Sequence, residues 1–180
     1  RARGGQGAAR APTAVGTPVG VGRVGVAGHA RRRSGLEELW PAMARGATLY
    51  AVALGLGGAN VADAGLHGKC GVALERAMKA ALRDAGRTPA DVGHINAHGL
   101  STTERDADEA RAIQNVFGAK ASDVPVTALK CYFGNLGAGS AVVELIASAM
   151  AIREGKLPAV LNYKTADPDC RFAVATAGRL

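Results

Sequence analysis

Aromatic side chains are scarce in this 180-residue chain: Phe, Tyr and Trp together make up 4% of it. A core short of rings must be filled by small and aliphatic groups. The 25 glycines and the many alanines let backbones approach closely, which suits helices laid against a sheet. Cysteine is also sparse. Cys70, Cys131 and Cys170 are widely and irregularly spaced, which excludes a disulfide framework and a CxxC metal knuckle. Reduced thiols in a cytoplasmic protein are the plain expectation. No G-x-S-x-G nucleophile elbow is present, so the sequence offers no Ser/His/Asp hydrolase site of that type. The glycine run Gly55-Leu56-Gly57-Gly58 lacks the Lys-Ser/Thr that would make it a phosphate loop.

Acidic residues are missing from the first 33 positions, and this locates the charge. The net charge is +7, yet positions 1–46 alone hold eight arginines against Glu37 and Glu38, leaving the remaining 134 residues near +1. A nucleic-acid partner would rest on the first segment alone. That segment has no aromatic residue before Trp40 to stack on bases, and its one basic cluster is Arg31-Arg32-Arg33. The reading is a solvated charge run and no nucleic-acid partner. Residues 1–33 break their apolar positions with Gly every two or three residues, so no helical or strand period persists. An organellar transit helix is disfavoured by that glycine density. Residues 1–33 are therefore expected to be disordered or out of frame, with a domain running over 34–180.

From Ser34 onward the periodicity is regular. Leu36, Leu39, Trp40 and Met43 lie at helical spacing, and Thr48–Leu54 is a short apolar strand candidate. A second helix is predicted over 69–85, with Ala73, Ala77, Ala81 and Ala85 as one stripe. Gly86 ends it and Pro89 blocks its continuation. Residues 94–97 are strand-like. A third helix starts near Thr103, where Thr103 and Asp106 have capping-box spacing, and it buries Ala107, Ala110, Ile113 and Phe117. Val124–Leu129 is a further strand. Residues 136–152 are almost wholly apolar around Glu144. That acid makes a membrane span costly by roughly 2.5–3.5 kcal/mol, so a buried core helix and no membrane are expected. Residues 159–161 and 172–175 read as two last strands joined by Asp167-Pro168-Asp169. Alternating strands and helices give the α/β class.

Two strand ends carry groups suited to chemistry. His98 follows a strand within Asn96-Ala97-His98-Gly99-Leu100-Ser101-Thr102. Lys130 closes another, ahead of Gly134-Asn135-Leu136-Gly137-Ala138-Gly139-Ser140. Each alone is weak, because a single strand-end histidine is more often structural than catalytic. His29, His67 and His94 lack such a setting and are read as structural or solvated.

Taken together, these segments with Asp106, Glu109 and Glu144 resemble the C-terminal half of the β-ketoacyl-acyl carrier protein synthases of fatty-acid and polyketide synthesis. Asn162 and Asp167-Pro168-Asp169-Cys170 resemble that family's closing strands. The resemblance implies the C-terminal half of a thiolase-like α-β-α-β-α layered fold, usually dimeric. It implies decarboxylative Claisen condensation, with substrates carried on the phosphopantetheine of acyl carrier protein and no cofactor or metal held by the chain. It also implies site roles: His98 as an oxyanion donor, Lys130 and Glu144 as its charged support, Thr102 on the pantetheine arm, Asp106 and Glu109 as further support.

Three departures qualify what the resemblance implies. Asn135 stands where the family has a second histidine; its amide can still donate, which makes it a candidate catalytic residue beside His98. Leu100 replaces a threonine. The nucleophilic cysteine has no counterpart among Cys70, Cys131 and Cys170, so the isolated chain is expected to be inactive, and it ends before the family's Gly-rich gating loop. An alternative within the resemblance is a non-catalytic chain-length partner paired with an active ketosynthase.

Overall fold

The computed structural model describes residues 24–29, 33–65, 67–168, 170, 172–176 and 178–179. Strand β1 (Val24–His29) pairs antiparallel with β2 (Arg33–Glu38) on one side and β3 (Thr48–Ala53) on the other, with an irregularity between Val26 and Ala27. Residues 24–29 thus join a sheet, although the sequence pattern placed them in a segment without structure. The backbone ladder needs no side-chain period, which is why glycine-broken sequence could pair here. The expectation for residues 1–23 and 30–32 lies outside the described residues.

The first helix is shorter than the spacing suggests. Pairing of β2 with β1 runs through Glu38, so α1 spans only Leu39–Ala44. It buries Ala42, while Trp40 and Met43 are exposed. The hairpin has claimed Leu36, and the stripe of four has no helix to share.

Helix α2 (Cys70–Asp84) falls where predicted. Its alanine stripe has a specific use. A Cβ at Gly57 would sit 1.9 Å from the Ala77 carbonyl oxygen, and one at Gly55 would sit 2.4 Å from the Ala85 nitrogen. The segment leaving β3 therefore lies directly on the α2 backbone, a contact open only to Gly facing Ala. A short 3₁₀ turn over Pro89–Asp91 follows, where the Asp91 carboxylate accepts from the Thr88 N–H and hydroxyl, both at 2.8 Å.

The second sheet is parallel, in the order β4 (Ile95–Asn96), β5 (Pro125–Thr127), β7 (Ala173–Val174). Between β4 and β5 runs α3 (Thr103–Phe117), packed on α2. Its inner residues Ile113 and Phe117 join Ala121 and Val124 in the main apolar cluster, against Met78, Val92 and Ile95. The Thr103–Asp106 capping box does not form. Thr102 is the cap residue, without a side-chain bond, and its carbonyl accepts from the Asp106 N–H at 3.0 Å. Lys130 does not close a strand either: β5 ends at Thr127, and Lys130 opens the short helix α4 (Lys130–Phe133).

Helix α5 (Ser140–Glu154) takes up most of the apolar run, but it is not buried all round. Ser140, Glu144 and Ser148 are buried, whereas Val142, Ile146 and Met150 are exposed. A two-residue strand β6 (Lys156–Leu157) pairs antiparallel with β8 (Gly178–Arg179). Residues 159–161 are not a strand, yet Val160 N–H donates to the Ala175 carbonyl at 2.7 Å alongside β7. Asp169, in the predicted connection, lies outside the described residues.

Candidate active site

The C-terminal ends of two neighbouring parallel strands place His98 and Lys130 side by side. Beyond β4 the chain turns sharply, with Gly99 at φ +50° and Ser101 at φ +61°. Glycine is required at 99 on two counts: the positive φ, and a Cβ that would fall 2.6 Å from the Ala128 Cβ at the end of β5. Thr127, buried, links the strands through its hydroxyl, 3.3 Å from the Asn96 amide oxygen.

Glu109, one α3 turn beyond Asp106, folds back beneath this loop. Its two carboxylate oxygens accept from the N–H groups of His98 (2.7 Å) and Gly99 (2.9 Å). A carboxylate that receives two backbone donors is a strong clamp, and it fixes the backbone from which the imidazole projects.

Lys130 has three ammonium protons and three acceptors. Its Nζ lies 2.5 Å from Glu144 Oε1, 2.8 Å from the His98 carbonyl oxygen and 3.2 Å from His98 Nδ1. The Lys130 and Glu144 side chains are only 5% and 9% exposed. A buried ammonium needs this full set of partners, since each unmet donor would cost desolvation energy. The arrangement also sets the imidazole tautomer. An ammonium can only donate, so Nδ1 must be the acceptor, and the ring carries its hydrogen on Nε2. Nε2 is thereby left as an N–H donor at the far end of the ring.

Asn135 is held separately. Its amide oxygen accepts from the Gly137 N–H at 3.0 Å and the Ser140 hydroxyl at 3.2 Å, and Ser140 in turn accepts from the Leu136 N–H at 2.9 Å. Because a backbone N–H must meet oxygen, the amide orientation is determined, and its NH₂ is the end left to donate. Asn135 is exposed and shares no hydrogen bond with His98, Lys130 or Glu144 among the described residues. The chain brings His98, Lys130, Glu144 and Glu109 into one connected unit and keeps Asn135 in the adjoining loop. Thr102 is exposed at the start of α3. Asp106 lines a second cavity of about 370 Å³ together with Glu109, Ser101 and Asn162, and one of its oxygens is buried without a partner among the described residues.

Another cavity, of about 270 Å³, is lined by β4 residues Ile95 and Asn96. His98, Glu109 and Glu144 line it with an apolar wall that includes Leu74, Met78, Ile113 and Phe117. His94 lines it too; it is 6% exposed, and burial pushes its pKa down to about 4. Sequence reasoning assigned no role to Ser140, which orients Asn135. The available signal was a serine placed five residues on, at a helix start. The thiols are engaged elsewhere: Cys131 Sγ accepts from the Leu161 N–H at 3.2 Å, and Cys70 Sγ accepts from Arg105. Among the described residues, no group of three or more His, Cys, Asp or Glu side chains is arranged to hold a metal ion.

A family model for the β-ketoacyl synthase C-terminal domain matches residues 50–164, a stretch that contains β4, β5, α5 and every site residue above. The chain belongs to this family. It is 37% identical over 162 residues to nodulation protein E of Rhizobium meliloti, covering 87% of this chain and 39% of that protein. It is 40% identical over 139 residues to 3-oxoacyl-[acyl-carrier-protein] synthase 2 of Synechocystis, covering 75% of this chain and 33% of the synthase. Among solved structures it resembles a type II polyketide ketosynthase in complex with its acyl carrier protein. The TM-score is 0.70 at 34% identity, covering 78% of this chain and 35% of that one. These likenesses bear out the α/β fold as the C-terminal half of the ketosynthase architecture. The chain spans 33–39% of the length of these curated synthase-family relatives.

Proposed function

We propose that this chain is the C-terminal half of a condensing β-ketoacyl-acyl carrier protein synthase, and that His98 and Asn135 together hold the thioester oxygen during condensation. The single observation that carries the reading is the tautomer of His98, which Lys130 leaves with an N–H donor on Nε2. In decarboxylative Claisen condensation the bond between the malonyl α-carbon and its free carboxylate breaks, releasing carbon dioxide. The electron pair passes into an enolate whose oxygen needs donors already in place. The α-carbon then attacks the acyl thioester, displacing the thiolate that carried the acyl group. An imidazole N–H and a carboxamide NH₂ are both suited to the enolate oxygen. Neither requires a charged group to lose a proton.

Glu109, Lys130 and Glu144 act as positioning residues in this scheme, and Thr102 contacts the pantetheine arm. The partner is acyl carrier protein, supported by the solved complex of a similar ketosynthase with its carrier. The nucleophilic cysteine belongs to the other half of the family domain, so the isolated chain is inactive and works within a homodimer or a ketosynthase heterodimer. It acts in the cytoplasm; no helix among the described residues is long and apolar enough to cross a membrane.

The test uses this chain joined to a nucleophile-bearing half, with malonyl carrier protein as substrate. Removing one oxyanion donor typically costs about 100- to 1000-fold in rate, and Asn135→Ala should lower decarboxylation and condensation by that order. An unchanged rate would remove Asn135 from the site.

A further inference from the structure

The segment from Gly134 to Gly139 holds three glycines, and each of its six residues is exposed. Glycine widens the range of conformations open to such a loop. A donor to an enolate oxygen helps only if it is already in place. Two contacts restrain Asn135, and they act differently. The Gly137 N–H, 3.0 Å from the amide oxygen, belongs to the same loop. It settles which end of the amide is the oxygen, but it moves wherever the loop moves. Ser140 is the first residue inside the 15-residue helix α5, past the cap position at Gly139, and it is 4% exposed. A contact to Ser140 is a contact to a rigid element.

The Ser140 hydroxyl turns back into the loop. It accepts from the Leu136 N–H at 2.9 Å and donates to the Asn135 amide oxygen at 3.2 Å. A hydroxyl has a single proton and spare lone pairs, so the incoming Leu136 hydrogen leaves that proton for the amide. An alanine at 140 would suit the helix as well, but the Leu136 N–H and the amide oxygen would each lose this partner. Glu144 follows one helical turn later, about 6 Å along the axis, and holds the Lys130 ammonium that orients His98. We propose that Ser140 is a positioning residue for condensation, tethering the Asn135 carboxamide to α5. One helix then holds both oxyanion donors at a fixed separation, Asn135 through Ser140 and His98 through Glu144 and Lys130. The inference rests on the His98–Asn135 reading and adds to it a residue that touches no reacting atom.

A double-mutant cycle on this chain joined to a nucleophile-bearing half tests the tether, with kcat and KM read for decarboxylation of malonyl carrier protein. Asn135→Ala gives the full worth of the donor. Ser140→Ala should lower kcat by about 10- to 100-fold, the order of loss that a displacement of about 1 Å produces, with KM little changed. In the Asn135→Ala background the same change at 140 should cost nothing further, because no amide is left to position. The far-UV circular dichroism should be unchanged throughout. Should Ser140→Ala lose its helical signal, Ser140→Cys, which fills the same space with a weaker donor, takes its place in both backgrounds. Equal losses in the two backgrounds would make Ser140 a structural residue only and overturn the proposal, as would a folded variant with the parent's kcat. Either of those results leaves the His98–Asn135 reading standing. A silent Asn135→Ala removes that reading and the tether with it.

Discussion

His94 and His98 flank the same short strand, line the same cavity, and are held in opposite ways. His94 is buried, and desolvation lowers its pKa to about 4, so it stays an uncharged part of the core. His98 has its backbone clamped by Glu109 and its ring oriented by Lys130, itself neutralised by Glu144. The same side chain becomes packing material in one case and a directed hydrogen-bond donor in the other. The lesson is that surroundings assembled from distant segments, and not the residue type, separate a structural histidine from a candidate catalytic one.

That contrast can be broken most severely through Glu144. Replacing it with Ala leaves the Lys130 ammonium buried and uncompensated, which should cost about 3–5 kcal/mol, read by urea unfolding. A double change to Lys130→Met with Glu144→Leu should recover most of that stability while still releasing the His98 ring. A cost below 1 kcal/mol for Glu144→Ala, well outside the range expected of a buried pair, would show that the pair does not support the strand end.

The His94 side of the comparison is tested by pH. Its folded pKa of about 4 lies below the ordinary 6.5, so the unfolded chain takes up the proton first as pH falls. Stability from this group is complete above pH 6.5, declines between 6.5 and 4, and is then fully lost. The total loss is about 3 kcal/mol. Asp63, Glu75 and Asp91 also have lowered pKa values, each through its hydrogen bonds, but they titrate in and below the carboxylate range. Above about pH 5 these three carboxylates therefore add little to the slope. His94→Phe should flatten the curve there, and a slope that persists would assign it to another group.

Smaller changes sharpen the picture. Glu109→Gln keeps one acceptor but turns an amide NH₂ toward a backbone N–H, which should cost about 2 kcal/mol. It should also broaden the His98 ring signals in NMR while leaving those of His94 in place. Asp91→Ala, at the turn leading to β4, should lower stability slightly by removing the acceptor for the Thr88 N–H and hydroxyl. His98 signals unmoved by that variant would confirm that the two ends of β4 are held independently.

Local pattern made parts of the architecture legible. Helices α2 and α3 and the alanine stripe could be read because periodicity and glycine stops are properties of short segments, whereas the strands expected over 94–97 and 124–129 end earlier, at Asn96 and Thr127. The pattern failed where pairing competed with it. Leu36 was lost to a hairpin that also drew in residues 24–29, whereas the apolar run of 136–152 did form a helix, with Ser140, Glu144 and Ser148 buried beside Ala149 and Ala151. Of the site, the motif residues were visible as candidates. Their division into a connected unit and a separate Asn135 loop was not.

Sequence alone determined the α/β alternation, the family likeness, and the identities of His98, Lys130, Asn135 and Glu144 as residues to examine. These follow from composition, spacing and motif, which need no knowledge of what folds against what. Tertiary structure alone decided that Lys130 meets a histidine 32 residues earlier and a glutamate 14 residues later. It likewise decided that Glu109 clamps the turn at Gly99, and that α5 faces outward with its apolar side. A hydrogen bond acts over a few ångströms and carries no mark in the linear order of residues. Only the parallel pairing of β4 with β5, and the return of α3 and α5 over their ends, brings those few ångströms about.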